Sequence, residues 1–106
     1  MITIDDFRKV ELRTAEVISA EPHPNADRLW VLKLRLGTEE RQIVAGIRGH
    51  YEAADLVGKT IVVVANLQPA MLRGVESQGM LLAVRDGDRV VALTTDRPAG
   101  SGLPVS

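Results

Sequence analysis

An all-β fold curled into a small barrel is what this sequence predicts, and three observations predict it. Two neighbouring segments, RLWVLKLRL (28–36) and RQIVAGI (41–47), alternate apolar and polar residues, as strands with one face on a core do. A third, TIVVVA (60–65), is β-branched and apolar throughout, which suits a strand covered on both sides. Only one internal stretch, Tyr51 to Val57, reads as a helix, and Gly58 ends it.

Each element follows from local chemistry. Thr3 is a candidate N-cap with Asp6 three residues on, so the chain opens with up to two helical turns reaching Val10. Residues 10–20 read as a first strand whose apolar parity switches, Val10 and Leu12 on one face and Ala15 and Val17 on the other. A bulge near Arg13-Thr14 would account for the switch and bend a long first strand around a barrel. The stretch EPHPNAD (21–27) is a loop. Trp30, Leu32, Leu34 and Leu36 then point inward from a second strand while Lys33 and Arg35 point out. Gly37-Thr38-Glu39-Glu40 turns the chain into a third strand with Ile43, Ala45 and Ile47 inward. After the helix and the buried fourth strand comes the segment Leu67 to Gln78, which holds a polar island, RGVESQG, between apolar neighbours. Met80 to Val84 is a further strand, Asp86-Gly87-Asp88 a hairpin turn and Val90 to Thr94 the returning strand. The tail from Arg97 is loop, held to the surface by Leu103 and Val105.

Three strands, one short helix and two or more strands is the order of the OB-fold, a five-stranded Greek-key barrel, here with an extra C-terminal strand. That fold presents ligands to the outer face of strands 2 and 3 and to the loops joining strands 1 and 2 and strands 4 and 5. The polar island falls on the second of those loops. At 106 residues the chain is one domain, residues 1–106.

Composition removes most chemistry. No cysteine is present, so there is no disulfide, thiolate ligand or cysteine nucleophile. His23 and His50 are not at metal-ligand spacing, and neither a metal nor another cofactor is expected. No apolar run approaches a membrane span and the N-terminus is unlike a signal peptide, so a cytoplasmic location is expected. Ser77 lacks the flanking glycine pattern of a nucleophile elbow, because Val75 stands at the first position. Gly46-Ile47-Arg48-Gly49 matches the GXXG loop of a KH domain, which joins two helices, whereas here it follows a strand. The acidic residues around Gly87 do not have calcium-loop spacing and no phosphate loop is present. A non-catalytic role is expected.

Charge is distributed unevenly. The net charge is −1, yet residues 28–73 carry seven basic against four acidic groups. Phe7, Trp30 and Tyr51 are the only aromatics, and Trp30 shares the leucine face, so a base-stacking platform is not expected. Arg, Lys, Asn, Gln and Ser on a surface fit recognition of a folded RNA by shape and backbone.

Over nearly its whole length the chain resembles a family. DDFRKVELRTAEV, HPNADRLWVLKLRLG, RQIVAGI, LVGKTIVVVANLQPA and LRGVESQGMLLA are similar, in order and spacing, to the tRNA-binding domain found at the C-terminus of many methionyl-tRNA synthetases and as free-standing structure-specific tRNA-binding proteins. The resemblance implies an OB-fold, usually a homodimer joined through its C-terminal strands and nearby apolar residues, that holds tRNA around the outer corner of the L without reading the anticodon. It implies as partners tRNA and the catalytic part of a methionyl-tRNA synthetase. By motif position the tRNA-contacting residues are Asn25, Arg28, Lys33, Arg41, Gln42, Asn66, Arg73, Ser77, Gln78 and Met80. The chain departs from the family where it has Gln68 and Met71 in place of basic residues and Ala45 in place of serine. Free-standing relatives of the same fold also resemble secretion chaperones, so a peptide-binding dimer is the alternative, although those relatives lack the GVESQGM form.

Overall fold

A computed structural model describes all of residues 1–106. The N-terminal helix α1 spans Ile4–Arg8 and is closed by a capping box, the Thr3 hydroxyl accepting the Asp6 N–H while the Asp6 carboxylate accepts the Thr3 N–H. The helix ends two residues short of Val10, the limit expected from its sequence, and none of its residues is buried.

Strand β1 (Leu12–Pro22) is the longest element and serves two neighbours in turn. Its first half pairs with β4 (Thr60–Val64) from Leu12↔Val64 to Glu16↔Thr60, and its second half with β2 (Trp30–Leu36) from Glu16↔Arg35 to Pro22↔Trp30. The register slips between Val17 and Ser19, so the bulge that bends this strand lies at Ile18 and not near Arg13-Thr14. Thr14 does not fit the odd-numbered core parity of Ala15 and Val17, yet it is buried, because the C-terminal tail covers it. Strand β2 keeps its predicted alternation, with Trp30, Leu32, Leu34 and Leu36 in the core. It turns through only two residues, Gly37 in the left-handed region and Thr38, into β3 (Glu39–Ala45), a tighter hairpin than the sequence implied.

Helix α2 is a single turn, Ala53–Leu56, that drops Leu56 into the core before Gly58 reverses the chain. Strand β4 is buried on both faces as its composition predicts, Ile61 and Val63 in the core cluster and Val62 and Val64 covered on the other side.

The expected loop from Leu67 to Gln78 contains structure of its own. Strands β5 (Ala70–Leu72) and β6 (Val75–Ser77) form a hairpin with Arg73 and Gly74 as its two turn residues, both at positive φ. That pair of left-handed residues gives the turn whose twist suits a hairpin, and arginine occupies the first place at a steric cost glycine would avoid. Strand β7 (Met80–Leu81) pairs with β4, and the main sheet runs β3-β2-β1-β4-β7. Residues 77–79 then lie back against β3, the Gln78 N–H donating to Gln42 O at 2.8 Å, so the curled sheet closes on itself. This is the strand order expected of the OB-fold.

The predicted strand from Met80 to Val84 is broken at Leu82. Its second half belongs to a separate hairpin, β8 (Ala83–Asp86) and β9 (Arg89–Ala92), turning through Gly87 and Asp88. The tail is anchored by backbone hydrogen bonds more than by its apolar side chains. The strand β10 (Pro104–Val105) pairs with β1 where β2 leaves it, and Leu103 stays exposed. Gly102 sits so close to Leu36 and Gly37 that a Cβ there would lie 2.5 Å from the Gly37 nitrogen.

Candidate nucleic-acid interface

Strands β1, β2 and β3 present an open groove of about 440 Å³ on the outer face of the barrel. It is lined by Ile18, Ser19, Lys33, Glu40, Arg41, Gln42 and Gln78, polar apart from Ile18 and without an aromatic ring. The bulge at Ile18 belongs to its wall, and the alternation of β2 puts Lys33 on it.

Four sequence-predicted residues meet here, and hydrogen bonds hold three of them as a unit. The Lys33 ammonium donates to Gln42 Oε1 across the β2–β3 pair. Gln42 Nε2 donates to Glu76 O at 2.9 Å, and the Gln42 N–H donates to Gln78 Oε1 at 3.0 Å. The amide side chains are therefore already oriented, and Lys33 keeps two N–H donors for a ligand. Glu40 is the one carboxylate on the lining.

Arg41 is different. It pairs with Leu34 on the core-facing side, where its guanidinium donates to Ala65 O and Gln78 O and meets the Glu39 carboxylate at 3.0 Å. Its charge is neutralised and its fork is spent plugging the end of the barrel, so the motif arginine is first a structural residue. Ser77 is 5% exposed; its hydroxyl accepts the Val44 N–H at 2.9 Å and donates to Gly79 O at 3.0 Å. No hydroxyl hydrogen remains for a phosphate, and Ser77 serves to satisfy a strand amide that the closing segment would otherwise bury unpaired. Asn66 accepts the Glu11 N–H at 2.8 Å and donates to Lys9 O at 2.7 Å, tying the N-terminal segment to the end of β4.

Asn25 and Arg73 meet at the tip of the β5–β6 hairpin, outside the groove lining. Asn25 Nδ2 donates to Arg73 O at 3.3 Å, and the Arg73 guanidinium donates to Asn25 O at 3.2 Å. Beneath them lies His23, which sequence reasoning did not single out as a site residue. It is 4% exposed, its Nδ1 accepts the Asn25 N–H at 2.9 Å, and its Nε2 therefore carries the hydrogen that it donates to Leu72 O at 2.8 Å. Loop 23–25 and the tip of the β5–β6 hairpin are thereby clasped by three hydrogen bonds, with a fourth inside the loop. A histidine between two prolines in a polar loop carries no periodic signal, so only the spatial meeting of loop and hairpin reveals it.

Arg28 and Met80 lie elsewhere. Arg28 lines a second cleft with Gly46, Gly49, His50, Arg85 and Val90. Met80 is half exposed beside an apolar cleft of about 200 Å³ that includes Val44, Ile47, Leu81, Ala83 and Val90.

Ion pairing sharpens the charge distribution seen in the sequence. Seven of the thirteen Lys and Arg side chains lie within 4.0 Å of a carboxylate. The six that do not are Arg28, Lys33, Arg48, Lys59, Arg73 and Arg85, five of them in the basic middle of the chain. Lys59 lies over the Tyr51 ring and Arg48 over the Trp30 ring.

A curled β-barrel with a preorganised polar groove and an unpaired lysine on it has the form of a binding surface. The family model described as "Putative tRNA binding domain" matches residues 12–104, and the chain belongs to that family. It is 59% identical over 105 residues to "Methionine--tRNA ligase" of Thermotoga maritima, covering 99% of this chain and 17% of that protein. The chain thus spans about a sixth of the length of that relative. Among solved structures, a "MetRS related protein from Pyrococcus horikoshii" superposes with a TM-score of 0.93 at 33% identity, over 100% of this chain and 98% of the other. A structure described as "chaperone CsaA" of Bacillus anthracis matches with a TM-score of 0.89 at 30% identity, over 100% and 99% of the two chains.

Proposed function

We propose that this chain is a non-catalytic module that binds tRNA by shape and backbone, and that the groove across β2 and β3 is where the RNA lies. The observation that carries the reading is the Lys33–Gln42–Gln78 unit: a free ammonium and fixed amides on the face this fold uses for ligands, in a member of a tRNA-binding family. Without an aromatic platform, binding rests on phosphate and ribose contacts and not on stacking. Asn25 and Arg73 extend the surface at one end of the groove.

The module acts as a homodimer and delivers tRNA to the catalytic part of a methionyl-tRNA synthetase, in one chain or in a separate one. Exposed Val84, Val91 and Leu93 on and beside the β8–β9 hairpin supply the apolar surface for dimerisation. Two groove faces on one dimer raise the effective affinity without new contacts.

Lys33→Ala tests the groove. Lys33 is exposed and pairs with no carboxylate, so the variant should keep its thermal stability, bind tRNA several-fold more weakly, and flatten the dependence of log K on log salt by about one unit. Unchanged affinity and slope would remove the RNA from this face.

One observation favours a second reading, peptide binding of the chaperone kind. The apolar cleft beside Met80 could take the side chains of an extended segment, and the CsaA structure is similar over the whole chain. Displacement of labelled tRNA by an apolar peptide, at a concentration where a polar peptide has no effect, would support that reading.

A further inference from the structure

We propose a second phosphate-binding site, in the cleft between the turn that follows β3 and the β8–β9 hairpin, occupied by a backbone phosphate of the same RNA. The inference rests on the tRNA-binding reading for the source of the phosphate, though not for the existence of the site. The cleft measures about 400 Å³, shares no residue with the β2–β3 groove and is lined by Arg28, Gly46, Gly49, His50, Arg85 and Val90.

Its chemistry is one-sided. Arg28 and Arg85 reach it from different parts of the chain, neither has a carboxylate within 4.0 Å, and no acidic residue is in the lining. The nearest acid to Arg85 in sequence, Asp86, is taken by Arg89 at 2.6 Å. His50 Nδ1 accepts the Val90 N–H at 3.3 Å, so the ring hydrogen is on Nε2, which has no acceptor within the chain. Two arginines and a histidine with an unused ring N–H on one lining supply the kind of donors a phosphate takes, and guanidinium recognises phosphate with paired donors.

The backbone adds to it. Gly46 and Gly49 bracket the segment GIRG, and a side chain at Gly49 would meet nothing within 4 Å. The Gly49 N–H has no acceptor within the chain, whereas the neighbouring Arg48 and His50 amides donate to Arg28 O and Ile47 O. The Arg28 O bond also fixes the Arg28 backbone beside the turn. A glycine pair flanking a basic residue, in a turn with a free amide, lets backbone approach an anion closely. The spacing that matched a KH loop by chance of order thus falls on a cleft able to do similar work without the two helices.

RNA is favoured over peptide because the lining has two arginines and no acid, and RNA offers an anion at every residue whereas a peptide offers one only at its C-terminus and at Asp or Glu.

The test uses the whole chain and two readouts. In the first, Arg85→Ala is compared with wild type by tRNA anisotropy over a salt series. Arg85 is exposed and the variant should keep its melting temperature and sedimentation behaviour. It should bind about three- to tenfold more weakly with a slope reduced by about one unit. In the second, inorganic phosphate is titrated against the amide spectrum. Shifts at Gly49, His50 and Val90 that disappear in the Arg85→Ala variant are expected. If wild type binds tRNA and Arg85→Ala binds with unchanged affinity and slope, the site is not used by RNA and the proposal fails. If wild type binds no tRNA, the proposed function fails, and the phosphate titration alone decides the cleft: shifts at those amides uphold it as an anion site, and none overturn it.

Discussion

At the scale of single residues, the motif that marks this family carries two kinds of work. Lys33, Gln42 and Gln78 face a groove, while Arg41 and Ser77 close the barrel. Arg41 stands two residues before Ile43, so strand parity puts it on the core face, whereas motif position marked it as a tRNA contact. Ser77 could not be read that way, because its role depends on the Val44 amide from a strand 33 residues earlier. Ser77→Ala should leave that amide buried without an acceptor and cost about 1–3 kcal/mol, measured by chemical denaturation, with the salt dependence of RNA binding unchanged. His23→Ala removes the centre of the clasp. It should lower stability by about 1–3 kcal/mol, with faster hydrogen exchange concentrated in residues 70–77.

At the scale of elements, strand existence was legible wherever one strand's own side chains decide it. The alternation of β2 and the apolar run of β4 follow from burial of one face or two. The bulge was not, since the parity change that suggested Arg13-Thr14 rested on Val10 and Leu12, and Val10 lies exposed outside β1 while Leu12 is only half-buried. The β5–β6 hairpin was hidden because its turn is Arg-Gly, without the asparagine or aspartate that usually announces left-handed residues. Gly102 is the hinge of the tail's attachment. Gly102→Ala meets backbone of Leu36 and Gly37 and needs a left-handed conformation, so β10 should detach and residues 97–106 become open to limited proteolysis while the barrel stays folded. The helix α1 gives a pH test. The backbone N–H of Thr3, and next its hydroxyl, hold the Asp6 carboxyl below its ordinary value of 3.8. The cap's contribution is therefore fully present above 3.8 and is lost as the pH falls through the lowered value. Amide spectra should show residues 3–8 losing helical character there before the barrel responds.

At the scale of the whole molecule, strand order was legible and closure was not. Three strands, a helix and two more strands specify the barrel, and the order β3-β2-β1-β4-β7 follows. What shuts it, residues 77–79 against β3, lies inside the stretch that reads as a binding loop. The basic residues that the family resemblance leads one to expect at Gln68 and Met71 would lie off the groove, because both positions are exposed and neither lines it. On the proposed reading, tRNA is held by the Lys33 unit and binds without charge at those two positions. The measurement that tests this most directly is anisotropy of labelled tRNA over a salt series, with an unlabelled single strand and a duplex RNA as competitors. Binding that weakens linearly in log salt and that neither competitor displaces is the predicted result. Ready displacement by either competitor, or no binding at low salt, would contradict a module that reads the shape of tRNA.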